Sequence, residues 1–190
     1  MTNKLTLRIT SGHFKNYKLD VGPMTKPVKE VVKLAVFSKL AGHLTEAKCL
    51  DLFAGSGNLG IEALSRGASH VKFVEISGVA CKIIESNILN AFQKFQIDKP
   101  ANKYEIIRKD SLDFVSNDME HYDIIFLDPP YDSHNTHLIK NINQLMHKDS
   151  ALVFFRDKNI SLNISNINPA LIIEDSRSYG LTMIDFIKLI

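Results

Sequence analysis

At 190 residues, 45% hydrophobic and 23% charged, the chain can bury one sizeable core and fits a single soluble domain. It has no apolar run long enough to cross a bilayer, and Met1 to Arg8 lacks the core of a signal peptide, so the cytosol is expected. The net charge of +2 is uneven: residues 1–48 hold nine Lys or Arg against three acids (+6), and residues 49–190 hold fourteen against eighteen (−4).

Lys4 to Thr10 and Lys18 to Val21 read as short strands around a turn at Ser11-Gly12. Val28 to Leu44 follows as an amphipathic helix, with Val28, Val31, Val32, Ala35, Val36 and Leu40 at helical spacing and Lys29, Lys33 and Lys39 largely off that face. Residues 1–47 are thus expected to form a basic extension and 48–190 the main domain. Its candidate phosphate contacts are Arg8, Lys15, Lys18, Lys26, Lys29 and Lys33; charge alone fits a solvated face equally well. Cys49 and Cys81 have neither CxxC spacing nor the density of a disulfide scaffold, which suits a reducing compartment.

From Lys48 apolar strands alternate with amphipathic helices, the pattern of a mainly parallel sheet covered on both faces. Strands are predicted at 48–53, 70–75, 104–109, 122–127, 151–155, 171–175 and 182–189. The last two are joined through Arg177 to Gly180, too short a link for a parallel crossover, so an antiparallel hairpin is expected. Asn90 to Asn102 and Asn159 to Pro169 read as polar loops.

After the first of these strands comes Asp51-Leu52-Phe53-Ala54-Gly55-Ser56-Gly57-Asn58-Leu59-Gly60, followed by a helix from about Leu59 to Ser65. Glycines here let the chain turn sharply and let a ligand approach the backbone at a helix N-terminus. Gly55, Gly57 and Gly60 also match GxGxxG with Glu75 at the end of the next strand, so a dinucleotide site is a second reading. Asp51 separates the two: a carboxylate there repels a pyrophosphate and attracts an ammonium or sulfonium. S-adenosylmethionine carries both cations and no phosphate. Glu75 fits ribose hydroxyls in either reading. Asp110-Ser111, after the third strand, either accepts from an adenine amino group or caps the helix that begins there.

The fourth strand ends in Asp128-Pro129-Pro130-Tyr131. Two prolines stop the strand rigidly and fix the direction of the Pro129 carbonyl. Asp128 and that carbonyl can accept both hydrogens of a planar amino group, and Tyr131 offers a stacking surface for the attached base. An exocyclic amine is a poor nucleophile because its lone pair is delocalised; two acceptors draw it toward tetrahedral geometry, and positioning supplies the remaining acceleration. His134 and His137 read as an exposed helix start, since two histidines do not make a zinc site. No metal is expected.

Together these segments resemble the RsmD family of 16S ribosomal-RNA guanine-N2 methyltransferases over almost the full length. LDLFAGSGNLGIEALSRGA (Leu50 to Ala68) is similar to the family's cofactor motif, FLDPPY (Phe126 to Tyr131) to its catalytic motif, and RSYGLTMIDF (Arg177 to Phe186) to its C-terminal hairpin. RITSGHFKNYKL (Arg8 to Leu19) and TKPVKEVVKLAVF (Thr25 to Phe37) resemble its N-terminal hairpin and helix. These last two depart from the family: Lys15-Asn16-Tyr17-Lys18-Leu19 stands for RG(R/K)KL, and Thr25-Lys26-Pro27-Val28 and Glu30-Val31-Val32-Lys33-Leu34 for TRPT and DRVRE. Lysine holds a phosphate only as a point charge, whereas the replaced arginines also fork and stack.

The resemblance implies an α/β class I methyltransferase: a Rossmann-like doubly wound sheet of seven strands with a reversed final hairpin. It implies S-adenosylmethionine as cofactor, S-adenosylhomocysteine as product, and a guanine of 16S ribosomal RNA in the small subunit as substrate, with the enzyme a monomer. Asp51, Phe53, Gly55 and Gly57 then hold the methionine part, Glu75 and Ile76 the ribose side, Asp110 and Ser111 the adenine side. Asp128, Pro129, Pro130 and Tyr131 hold the target base. Competing readings are an adenine-N6 methyltransferase of DNA or RNA, which can use the same DPPY, a protein-glutamine methyltransferase, and a non-catalytic RNA-binding assembly factor that kept the fold.

Overall fold

A computed structural model describes residues 7–22, 28–98, 102–130 and 136–190. The chain begins with a two-residue antiparallel ladder, β1 (Leu7–Arg8) and β2 (Lys18–Leu19), with Leu7 opposite Leu19. Residues 4–6 of the expected first strand lie outside the described residues. The expected long helix is shorter, α1 (Glu30–Lys39), and closes through a 3-10 turn at Ala41–His43. Gly42 falls in this last, tightened turn, where helices commonly change to 3-10 hydrogen bonding.

β3 (Lys48–Leu52), β4 (His70–Glu75), β5 (Tyr104–Arg108), β6 (Tyr122–Leu127) and β7 (Met146–Asp157) are parallel, and β9 (Thr182–Leu189) runs antiparallel to β7 and to β8 (Leu171–Tyr179). The order β5-β4-β3-β6-β7-β9-β8 is that of the expected α/β doubly wound sheet with a reversed final hairpin. Crossovers are made by α2 (Asn58–Ser65), α3 (Gly78–Lys94), α4 (Ser111–Asn117), α5 (Thr136–Asn141) and α6 (Ile164–Ile167).

Successive strand residues feed opposite faces. Cys49, Phe73, Phe126, Phe155 and Ile184 pack with α1, α2 and α3, while Leu50, Leu52, Val74, Ile125 and Leu152 pack beneath α4 and α5. Leu7, Ile9, Phe14, Tyr17 and Leu19 of the N-terminal hairpin belong to the first of these clusters. Phe14 meets Phe92 edge-on, with ring centroids 5.0 Å apart.

Several boundaries differ from expectation for local reasons. β7 begins at Met146, before the polar run His147 to Ser150, because that run bulges: pairing with β6 jumps from Tyr122↔Met146 to Ile124↔Ala151. Ser150 Oγ donates to the Tyr122 carbonyl and accepts from His147 N, filling the gap left in the ladder. The final hairpin turns at Gly180 and Leu181, with Gly180 at φ 63°, a two-residue connection that extends β8 to Tyr179. Both stretches read as polar loops hold helix: in Asn159 to Pro169, Asn163 caps α6 by accepting from Asn166 N, and in Asn90 to Asn102, α3 runs on to Lys94.

Candidate active site

Strand order reverses between β3 and β6, so the crevice at their carboxyl ends is where an open α/β sheet accepts ligands. Register aligns Leu52 with Leu127 across this gap, which brings Asp51 and Asp128 to the same edge; Glu75 ends β4 on the other side of β3. Three carboxylates thus converge at one place. Among the described residues none of them makes an ion pair.

Asp51 is 2% exposed, and its Oδ2 accepts from Gly60 N at 2.8 Å. Burial pushes its carboxyl well above the ordinary range, and the charges of Asp128 and Glu75 push it further; the Gly60 amide works against them. The turn between β3 and α2 needs left-handed backbone at Phe53 (φ 59°), Gly55 (φ 56°) and Gly57 (φ 78°). Glycine takes this conformation freely; a Cβ on Gly57 would also crowd Ile61 and Ile84. Gly60 lets α2 lie against β4, since a Cβ there would stand 2.2 Å from Phe73 Cε1.

Glu75 closes the turn from the next strand. Its Oε2 accepts from Gly55 N at 2.9 Å and its Oε1 from Ser77 N at 2.8 Å. Gly57 N donates to Ala54 O at 2.7 Å. Amides that would have to cradle a pyrophosphate are therefore committed within the protein, which counts against the dinucleotide reading. A ligand with cations and no phosphate fits the unpaired carboxylates. Ile76 is exposed beside Glu75, with Arg108 Nε donating to its carbonyl at 3.4 Å.

Asp110 caps α4, its Oδ1 accepting from Leu112 N (2.9 Å) and Asp113 N (3.2 Å); its Oδ2 stays open to a further donor. Ser111 is buried at the start of that helix. Both sequence readings of this pair are compatible with the geometry.

Asp128 follows β6 directly, half-buried, with no hydrogen-bond donor among the described residues in reach of its carboxylate. Burial pushes its carboxyl from the ordinary 3.8 up to about 7. Pro129 is buried behind it and Pro130 is exposed. Tyr131 and His134 lie outside the described residues, and His137 is exposed at the start of α5. No group of three or more potential metal ligands occurs among the described residues.

Of the candidate phosphate contacts, Arg8, Lys15, Lys18 and Lys29 are exposed, and Lys26 lies outside the described residues. Lys33 must be corrected. It is fully buried, ion-paired with buried Glu62 at 2.9 Å, and donates to Arg8 O (2.6 Å) and Asn58 Oδ1 (2.8 Å), so it offers no charge to a phosphate. Burial lowers its pKa against the opposing pull of Glu62. Glu62 in turn accepts from Thr10 N, Thr10 Oγ1, Ser11 N and Arg66 Nε.

Sequence reasoning also missed Asn58 and Asn87, which tie the glycine turn to the N-terminal segment. A signal existed for Asn87: it interrupts the apolar stripe Ile84, Ile88, Ala91 on α3, where a polar residue needs buried partners.

The family model described as "Conserved hypothetical protein 95" matches residues 7–188. A Ribosomal RNA small subunit methyltransferase D of Buchnera aphidicola subsp. Acyrthosiphon pisum is 36% identical over 145 residues, covering 74% of this chain and 70% of that protein. The protein of the same name from Haemophilus influenzae is 34% identical over 129 residues, 66% of this chain and 64% of that one. Among solved structures, a conserved hypothetical protein of Streptococcus pyogenes superposes with a TM-score of 0.72 at 28% identity, covering 84% of this chain and 96% of its own.

Proposed function

The chain belongs to the RsmD family, the one described as Conserved hypothetical protein 95, and from that premise we propose that it methylates the exocyclic N2 of a guanine in 16S ribosomal RNA. The observation that carries the reading is Asp128: a half-buried carboxylate with no donor in reach among the described residues, at the switch point of the sheet, beside a second acid and before a rigid Pro-Pro step.

S-adenosylmethionine held at the carboxyl ends of β3, β4 and β5 would supply a methyl group on a sulfonium, with the neutral thioether S-adenosylhomocysteine as leaving group. Asp51, with the turn at Phe53, Gly55 and Gly57, would hold the cationic methionine part, Glu75 and Ile76 the ribose, and Asp110 with Ser111 the adenine. Asp128 and the Pro129 carbonyl accept the two hydrogens of the guanine amino group, and the family motif assigns the stacking on the base to Tyr131, which lies outside the described residues. The amine lone pair forms the new N–C bond, and the proton then shed by nitrogen passes to Asp128 or water. A carboxyl pushed up toward neutrality suits a proton acceptor working near pH 7. The base has to leave its stack to reach this edge, at a cost of a few kcal/mol that phosphate contacts from the exposed cations of the hairpin offset.

The test is to incubate the protein with labelled S-adenosylmethionine and small ribosomal subunits from cells lacking it, then digest the RNA. Label in N2-methylguanosine is the expected result. Label in N6-methyladenosine would establish the adenine alternative, and binding of both partners with no transfer would establish a non-catalytic assembly factor.

A further inference from the structure

Asn87 lies on the inward stripe of α3 and is 1% exposed. Its Oδ1 accepts from Asp20 N at 2.9 Å, and its Nδ2 donates to Asp20 O and to Ser56 O, each at 3.0 Å. Ser56 is the middle of the glycine turn, and Asp20 directly follows β2 of the basic hairpin. One buried amide therefore fastens the two together.

A second fastening lies on the other side of the turn. Asn58, the first residue of α2, donates through Nδ2 to Val28 O at 3.2 Å and accepts at Oδ1 from Lys33, which also holds Arg8 O in β1. The glycine turn is thus gripped from both sides by the segment that carries the exposed cations. Helix packing does not require this, because an apolar side chain would complete the stripe without the cost of burying an amide.

We infer that Asn87 is a positioning residue that couples the cofactor turn to the basic hairpin: occupancy of the turn steadies the hairpin, and RNA held on the hairpin steadies the turn. The inference rests on the reading of these two elements as cofactor site and RNA-holding surface. Coupling between two sites is reciprocal, and a ligand that restricts Ser56 restricts Asp20 through one shared side chain. Apart from the Lys33 link between Asn58 and Arg8, the hairpin's other attachments, from Thr10 and Ser11 to Glu62 and from His13 and Phe14 to Ser65, bypass the turn.

Hydrogen exchange read by mass spectrometry on the full chain, with and without saturating S-adenosylhomocysteine, tests this. In the unaltered protein residues 17–22 should exchange more slowly with ligand, by up to about a hundredfold at roughly 100 times its Kd. In Asn87→Ala and Asn87→Ser the ligand should still protect residues 55–60 while most of its effect on 17–22 is lost, leaving only what the Lys33 link to Arg8 carries, and residues 10–14 should respond as in the unaltered protein. Protection of 17–22 that is equal in all three proteins overturns the inference. So does a protected turn with an unresponsive hairpin in the unaltered protein, a result that stands even if neither variant folds. Failure of the ligand to protect the turn at all would remove the cofactor reading itself, and the coupling with it.

Discussion

Burial holds the free Asp128 carboxyl at about 7 rather than 3.8, and this has two consequences of opposite sign. A raised carboxyl contributes to folding stability fully only below its unfolded value and loses that contribution as pH rises through about 7. Asp128→Asn, uncharged and of the same shape, should therefore melt at a higher temperature than the unaltered protein at pH 8, with the gain shrinking toward zero by about pH 4. Thermal melts across that range check it, and a gain that grew on acidification would contradict the assigned burial. In the proposed reaction Asp128 acts in its ionised form, so kcat/KM should decline on the acid side of about 7. Asp128→Ala should lower turnover by about two orders of magnitude while leaving S-adenosylhomocysteine binding nearly intact. Near-normal turnover would take Asp128 out of the reaction.

At the level of elements, the contact between α1 and α2 turns on Lys33 and Glu62, both fully buried. Among the described residues Lys33→Met leaves Glu62 with only Arg66 as a charged partner, and it should cost about 3–5 kcal/mol in urea unfolding; replacing both, Lys33→Met with Glu62→Leu, should recover much of it. A double-variant loss equal to the sum of the Lys33→Met and Glu62→Leu losses would show that the pair is not coupled. The same contact marks where sequence stops being informative. Strands such as Lys48–Leu52 and Tyr122–Leu127, and the acids that end or follow them, were legible because apolar runs, glycines and prolines act on their immediate neighbours. Lys33 was not: helical periodicity locates a stripe, but it does not reveal that a lysine at its margin has a carboxylate waiting on a helix from elsewhere in the chain. The bulge at His147 to Ser150 was hidden for a similar reason, its polar residues being satisfied by a neighbouring strand. Asp51, Glu75 and Asp128 could be picked out singly; their convergence without a cation among the described residues needed the strand order.

For the whole molecule, the excess positive charge of the first 48 residues overstates what reaches the surface, since the Lys33 ammonium is spent inside. Arg8, Lys15 and Lys18 remain on the hairpin, and changing all three to alanine should make log K against log salt shallower by about two, at roughly 0.7 for each single-strand phosphate contact. An unchanged slope would assign those side chains to a solvated face and move the RNA surface elsewhere. The packing of this hairpin has a further consequence for how the protein can change over time. Phe14, Tyr17 and Leu19 fill the same apolar cluster as Phe73, Phe92 and Phe126, so the basic segment is not an appendage that could be exchanged for another or grafted onto a different enzyme. Removing it would uncover α2 and α3 where Phe14 meets Phe92 and Ser65. If the hairpin holds RNA as proposed, a change of target falls to its outward side chains, while its inward ones stay bound to the demands of the core.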